Sequence, residues 1–140
     1  MSDVQGPRIY NLFPRLVGAP GVWQEHLTRI RDMGFDWVYL NPVQYAGFSG
    51  SLYALKDHYR LHALFDPADG TSYEEAVRGF CAGAHEQGLK VLLDVVVNHV
   101  SKDSLLVEWH PEWFRWDEAG NVESPYAVDP DDPANITVWG

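Results

Sequence analysis

The chain has 140 residues and carries 20 acidic against 10 basic side chains, a formal net charge of −10. That balance excludes the basic patch needed to hold nucleic acid or an anionic membrane surface. Hydrophobic residues make up 46% and charged residues 21%, the proportions of a globular domain with its own core.

No stretch approaches the ~18 consecutive apolar residues of a membrane helix, and Met1–Pro7 has neither the basic nor the apolar segment of a signal peptide, so the chain is expected to be cytoplasmic. Cys81 is the single cysteine. It therefore forms no internal disulfide and reads as a small apolar residue on a helix face.

In chain order, Arg8-Ile9-Tyr10-Asn11-Leu12-Phe13 alternates apolar and polar residues and predicts a first strand, stopped by Pro14. From Val22 to Met33 the apolar residues Trp23, Leu27, Ile30 and Met33 recur at spacings of four and three, one face of a helix, and Gly34 stops it. Phe35–Leu40 predicts a second strand, ended by Asn41-Pro42. The segment between the two strands is long enough for the crossover of a parallel βαβ unit.

Ser72 and Glu75 have capping-box spacing, and Tyr73, Ala76, Val77, Phe80, Cys81 and Ala84 predict the apolar face of a second helix ending at Gly88. Between Pro42 and Thr71 this leaves a connection of roughly thirty residues, against 2–6 for ordinary βα loops. Tyr45, Phe48, Tyr53, His58, Tyr59, His62 and Phe65 make it too aromatic for a disordered linker, which points to a functional loop.

Leu89–Val97, rich in leucine and valine, predicts a third strand buried on both faces, as in a parallel sheet covered by helices. Asp94 is costly there, because a buried carboxylate needs a partner. With Asn98 and His99 it crowds the carboxyl end of the strand, where open α/β sheets and barrels place their sites. Alternation puts Asp94 and Asn98 on one face and His99 on the other, so a shared pocket requires the chain to turn after Val97.

His62, His85 and His110 lack metal-ligand spacing and predict structural or solvated roles. Trp109, Trp113 and Trp116 are spaced as on a helical face interrupted by Pro111, which predicts core or rim packing. The run Asp129-Pro130-Asp131-Asp132-Pro133 predicts a solvated turn.

Asp94-Val95-Val96-Val97-Asn98-His99 resembles the first signature region of the α-amylase family of glycoside hydrolases and transglycosidases, the segment on the third barrel strand. Tyr53, followed four residues later by Asp57 and then by Tyr59, matches the family's pattern before the second helix, with Leu52 standing where many relatives have glycine. His110-Pro111-Glu112-Trp113-Phe114 looks like the members that act on maltosyl units. The resemblance covers about residues 8–126.

It implies an α/β fold, the amino-terminal portion of a (β/α)8 TIM barrel: three parallel strands, two helices and the start of the insertion after strand three. Residues 1–140 would be a partial catalytic domain, with 100–140 the beginning of that insertion, since a whole barrel takes roughly 250 residues.

The function implied is that of a retaining enzyme that hydrolyses or transfers α-glucosidic or maltosyl units, with an α-glucan or maltooligosaccharide as substrate. By resemblance Tyr53 stacks under the reacting sugar and His99 donates to its hydroxymethyl group. Asp94 pairs with an arginine on strand four, and Asp57 supports the same wall. No catalytic residue lies in this chain, because the nucleophile and acid/base are expected beyond Gly140. Asn98 is implied as an oxygen ligand of a structural calcium, a hard cation that such a donor suits, and no other cofactor is implied. The isolated chain is expected to be inactive and, with two open sheet edges, to self-associate.

Two alternatives stay open on the residues alone. One is a small doubly wound α/β ligand-binding module without catalysis, although no G-x-G-x-x-G or P-loop occurs. The other is a metal hydrolase using Asp94 and His99, for which no third ligand can be named.

Overall fold

The computed structural model describes residues 6–66, 69–124 and 126–138. The chain divides into two compact units, Met1–Gln44 with Tyr59–Val95, and Tyr45–His58 with Val96–Gly140.

The first unit is built on a parallel sheet of β1 (Ile9–Leu12), β2 (Trp37–Leu40) and Lys90–Leu93, in that order. Ile9 stands opposite Trp37, which stands opposite Lys90. Pro14 ends β1 as expected, and its fixed φ lets it open the short helix α1 (Pro14–Val17).

The predicted helix over 22–33 is two helices, α2 (Pro20–Glu25) and α3 (Leu27–Asp32), joined at His26. It starts earlier because Pro20 occupies the first helical position. Trp23, Leu27 and Ile30 are buried as expected, but Met33 is 49% exposed. Met33 caps the last turn, and Gly34 at φ 87° turns the chain away immediately after it. The indole of Trp23 meets Phe65 and Phe80 edge-on, at centroid distances of 5.9 and 6.1 Å, and its Nε1 donates to the Gly18 carbonyl at 2.5 Å.

The thirty-residue connection is not a loop. It holds a two-stranded sheet of β3 (Gln44–Ala46) and β4 (Leu55–Leu61), then a 3-10 turn at Ala63–Phe65. The alternation is hidden because only the ends of β4, Leu55 and Leu61, are buried. His62 caps the 3-10 turn, accepting from Leu64 N at 3.0 Å. Burial, then the charge of Arg15, pushes the His62 imidazole below its ordinary value.

Helix α4 (Tyr73–Glu86) begins with both halves of the predicted capping box: Glu75 N donates to Ser72 Oγ at 3.2 Å, and Ser72 N to Glu75 Oε2 at 2.9 Å. Ala76, Phe80 and Ala84 are buried, and burial pushes the Cys81 thiol up.

After Gly88, at φ 74°, comes β5 (Lys90–Leu93), which departs from the expectation of burial on both faces. Leu92 and Leu93 are 36% and 40% exposed. The reason is topological, since among the described residues β5 pairs only with β2 and stands at the sheet edge. It also ends at Leu93 rather than Val97.

The second unit carries α5 (Leu105–Trp109), a 3-10 turn at Pro111–Trp113 and the antiparallel pair β6 (Tyr126–Val128) and β7 (Ile136–Val138). The acidic run forms the turn between that pair, with Asp129 accepting from Asp131 N at 2.9 Å and from Asn135 Nδ2 at 3.1 Å. Among the described residues no helix is long and apolar enough to cross a membrane.

Candidate functional site

Asp94 follows β5 directly, and its N–H still donates to the Leu40 carbonyl at 2.9 Å, which keeps it in sheet register. Its half-buried carboxylate accepts a hydrogen bond from the hydroxyl of Tyr39 on β2. The cost of burying this charge is thus met inside the sheet by a charge-assisted hydrogen bond. Tyr39 was missed from sequence, yet a signal exists: Tyr39 pairs with Leu92, and Asp94, two residues on, shares the face of Leu92.

The other candidate residues belong to the second unit. The chain bends at Asn98, the turn that alternation requires, and Asn98 Nδ2 lies 3.5 Å from Nδ1 of the half-buried His99. Tyr53 sits in a turn, partly exposed, its N–H donating to Ser51 Oγ at 3.3 Å. Leu52 is buried beside it, and no described non-glycine residue has positive φ. Leucine therefore fits here on ordinary backbone. Asp57 is half-buried on β4, and the next residue, His58, holds Nε2 3.3 Å from the Val96 carbonyl.

A junction around Gly47 ties these segments together. Ser101 N donates to the Leu55 carbonyl at 2.9 Å, Ser104 Oγ to the Lys56 carbonyl at 3.1 Å, and Phe48 N to Asp103 Oδ1 at 3.4 Å. Lys56 Nζ pairs with Asp103 Oδ2 at 3.1 Å, and Ser101 Oγ donates to Asp103 Oδ1 at 2.5 Å. Burial pushes the Asp103 carboxyl up, but the hydrogen bonds from Ser101, Lys56 and Phe48 N together with the Lys56 charge outweigh it, so it titrates below the ordinary value. A Cβ on Gly47 would overlap Ser101 Oγ and Cβ and Asp103 Oδ1.

His99 and Asn98 border a cleft of about 570 Å³, also lined by Ser101, Lys102, Trp113, Arg115, Glu123 and Tyr126. Of the core or rim packing expected for the tryptophans, core packing fails here. Trp109, Trp113 and Trp116 are 53%, 64% and 45% exposed, because α5 stops at Trp109 and Pro111 opens a separate turn. Trp113 stacks flat on His110, 3.9 Å between centroids and 6° between planes, while His110 Nδ1 lies 3.2 Å from Glu112 Oε1.

Residues 115–123 fold back as a tight hairpin. Trp116 pairs with Val122, Glu123 N donates to the Arg115 carbonyl at 2.9 Å, and Arg115 Nε meets Glu123 Oε2 at 3.1 Å. Asp117 in its turn is held below the usual carboxylate range, first by Asn121 N–H, then by the Asn121 side chain, and last by the charge of Lys102.

Calcium takes six to eight oxygen ligands. Asn98 offers a single amide oxygen, and no three His, Cys, Asp or Glu side chains among the described residues are grouped to hold a metal ion. Among the described residues no grouping supplies the third ligand that a metal hydrolase would need.

Residues 3–129 match the family described as the glucanotransferase domain of glycogen debranching enzyme. The fold is similar to a noncanonic maltogenic α-amylase from Thermotoga neapolitana, with a TM-score of 0.70 and 32% identity over 82% of this chain and 29% of that one. It is also similar to an α-amylase from Lactobacillus plantarum, with a TM-score of 0.68 and 33% identity over 79% and 27%. The chain belongs to the α-amylase family. Among curated α-amylase-family relatives it is 34% identical, over 86% of its own length, to the α-1,4-glucan:maltose-1-phosphate maltosyltransferase of Arcanobacterium haemolyticum. It spans about a fifth of the length of the curated maltosyltransferases it matches, between 20% and 22% of the first three.

Proposed function

We propose that these 140 residues are the amino-terminal part of the catalytic (β/α)8 barrel of a retaining enzyme that hydrolyses or transfers α-glucosidic or maltosyl units, with residues 100–140 beginning the insertion after the third strand. The observation that carries the reading is Asp94, set at the carboxyl end of a parallel sheet and held there by Tyr39, the end at which barrels of this class build their sites. The similarity to α-amylases and maltosyltransferases supports it.

In this reading Tyr53 supplies the apolar platform under the reacting sugar, His99 donates to its hydroxymethyl group, and Asp57 supports the same wall. Asp94 keeps a charge aimed at an arginine that steers the nucleophile, and the Tyr39 hydroxyl fixes its orientation. Retaining chemistry needs two carboxylates roughly 5–5.5 Å apart across the glycosidic bond, and in this reading both come from residues outside these 140.

The test assays the full-length protein and the 140-residue chain on maltooligosaccharides, with and without maltose 1-phosphate. The full-length protein should turn over, and His99→Ala should lower kcat/KM on the order of 10²-fold, the scale of a lost transition-state hydrogen bond. The 140-residue chain should be silent. Turnover by that chain surviving both Asp94→Ala and Asp57→Ala would overturn the assignment.

The same reading gives the isolated chain a tendency to self-associate. Both β1 and β5 are edge strands, and Ile9, Leu92, Leu93 and Val95 are exposed, an unpaired and apolar combination that invites further pairing. Light scattering should show oligomers growing with concentration; a concentration-independent monomer would count against the idea.

A further inference from the structure

We propose that Asp103 is a positioning residue, which fixes the turn that carries Tyr53 against the segment that carries His99. The inference rests on the α-glucan reading above, in which Tyr53 lies under the reacting sugar, and extends it to a residue outside the signature regions.

One carboxylate reaches three places in the chain. Asp103 Oδ1 accepts from Phe48 N at 3.4 Å and from Ser101 Oγ at 2.5 Å, while Oδ2 pairs with Lys56 Nζ at 3.1 Å. Phe48 stands five residues before Tyr53 and Lys56 three residues after it. Asp103 therefore grips both legs of the turn. Its third partner, Ser101, stands two residues beyond His99, and Ser101 N donates to the carbonyl of Leu55, two residues beyond Tyr53, at 2.9 Å.

The turn is stiff enough to pass this hold on to the ring. Gly47 N donates to the Ala54 carbonyl at 2.8 Å and Ala54 N to the Ser51 carbonyl at 3.0 Å. Leu52 and Ala54 are buried on either side of the partly exposed Tyr53, so the ring leaves a stretch of backbone packed at both of its neighbours. At Gly47 the two segments meet so closely that a Cβ would overlap Ser101 and Asp103. His58 Nε2, 3.3 Å from the Val96 carbonyl, makes a second tie on the other side of His99.

The Lys56–Asp103 pair supplies direction more than stability. Its side chains are 39% and 33% exposed, and solvent screens an ion pair this open. A carboxylate nevertheless accepts along fixed lone-pair directions, and more firmly when it is charged. Burial works against that charge, but the hydrogen bonds from Ser101, Lys56 and Phe48 N outweigh it and keep the Asp103 carboxyl below its ordinary value. A platform displaced slightly from the donor opposite it lowers the rate more than it lowers binding, because the reacting atoms lose their alignment.

The experiment is steady-state kinetics of the full-length protein on maltohexaose, with and without maltose 1-phosphate, at a temperature where circular dichroism shows each variant folded. Asp103→Asn keeps the shape and an accepting oxygen but loses the charge. It should lower kcat about tenfold while KM moves by less than about twofold. Lys56→Met, which leaves Asp103 its other two partners, should lower kcat about threefold, and Lys56→Arg should restore it. In a Tyr53→Ala background, Asp103→Asn should cost less than about twofold further, because no ring remains to be misplaced.

Equal losses in the two backgrounds, or an unchanged kcat in folded Asp103→Asn, would overturn the positioning role while leaving the α-glucan reading intact. Should Asp103→Asn fail to fold, Lys56→Met measured in the same two backgrounds decides the question by the same criterion. Failure of the wild-type protein to turn over any α-glucan would defeat that reading, and the positioning role with it.

Discussion

Trp23→Ala is expected to destabilise the first unit by about 3–5 kcal/mol, the cost of removing a buried indole and leaving its volume unfilled. Trp23 is fully buried, and it is the ring on which both Phe65 and Phe80 rest edge-on. The substitution would strand three groups at once: two phenyl rings lose their neighbour, and the Gly18 carbonyl loses the Nε1 donor. Because Phe65 ends the 3-10 turn and Phe80 lies mid-helix in α4, collapse around the hole would need three separate segments to move together. Against a total stability of about 5–15 kcal/mol, the loss should be visible as a large fall in the urea midpoint. Trp23→Phe should recover part of it. A loss below about 1 kcal/mol for the alanine variant would show that this ring cluster does not anchor the unit.

Gly47→Ala should have the second-largest effect, although it adds only one methyl group. The added Cβ meets the side chains of Ser101 and Asp103, and Ser101 is 3% exposed, its short side chain committed to Asp103. Relief requires the backbone of one segment to withdraw, and overpacking of this kind costs about 1–3 kcal/mol. The double variant Gly47→Ala/Ser101→Gly should recover most of the loss, giving a coupling energy that a purely local backbone effect at Gly47 would not produce.

The junction should also weaken in acid. The Asp103 carboxyl is depressed in the folded state, so its contribution is fully present above the unfolded value near 3.8 and is lost as pH falls through the lower folded value. Substitution of Asp103 by Asn should therefore matter less at the acid end than at neutral pH. Thermal unfolding of both variants, followed across pH, tests these expectations, and an unshifted midpoint for Gly47→Ala would refute the close approach.

What was legible in the sequence was local. The strand ended by Pro14, the apolar triplet Trp23, Leu27 and Ile30, and the reciprocal Ser72–Glu75 cap each depend on residues within one or two turns of one another. What was not legible depends on residues far apart. The strand β4 was hidden because its middle residues face solvent or are half-exposed, so no period-two signal survives. Leu92 and Leu93 read as core because valine and leucine runs do not reveal which strand stands at an edge.

At the site, Asp94, Asn98 and His99 were singled out by their position after an apolar run, whereas Tyr39 required the register between β2 and β5. For Trp113 the break at Pro111 was legible, but whether the ring packs in the core or stays exposed depends on the separate turn that Pro111 opens.

Neither unit is a continuous stretch of chain, and this sets a timetable during synthesis. The segment carrying Gly47 and Phe48 leaves the ribosome well before the residues that complete its unit, since the bond from Phe48 to Asp103 spans 55 positions. At roughly 5–20 residues per second of translation, that segment waits several seconds, with Leu52 and Leu55, later buried, still without their partners. The first unit can close as soon as Val95 is made, so the two halves mature in sequence, and the interval between them is when a nascent chain of this kind is most open to capture by chaperones.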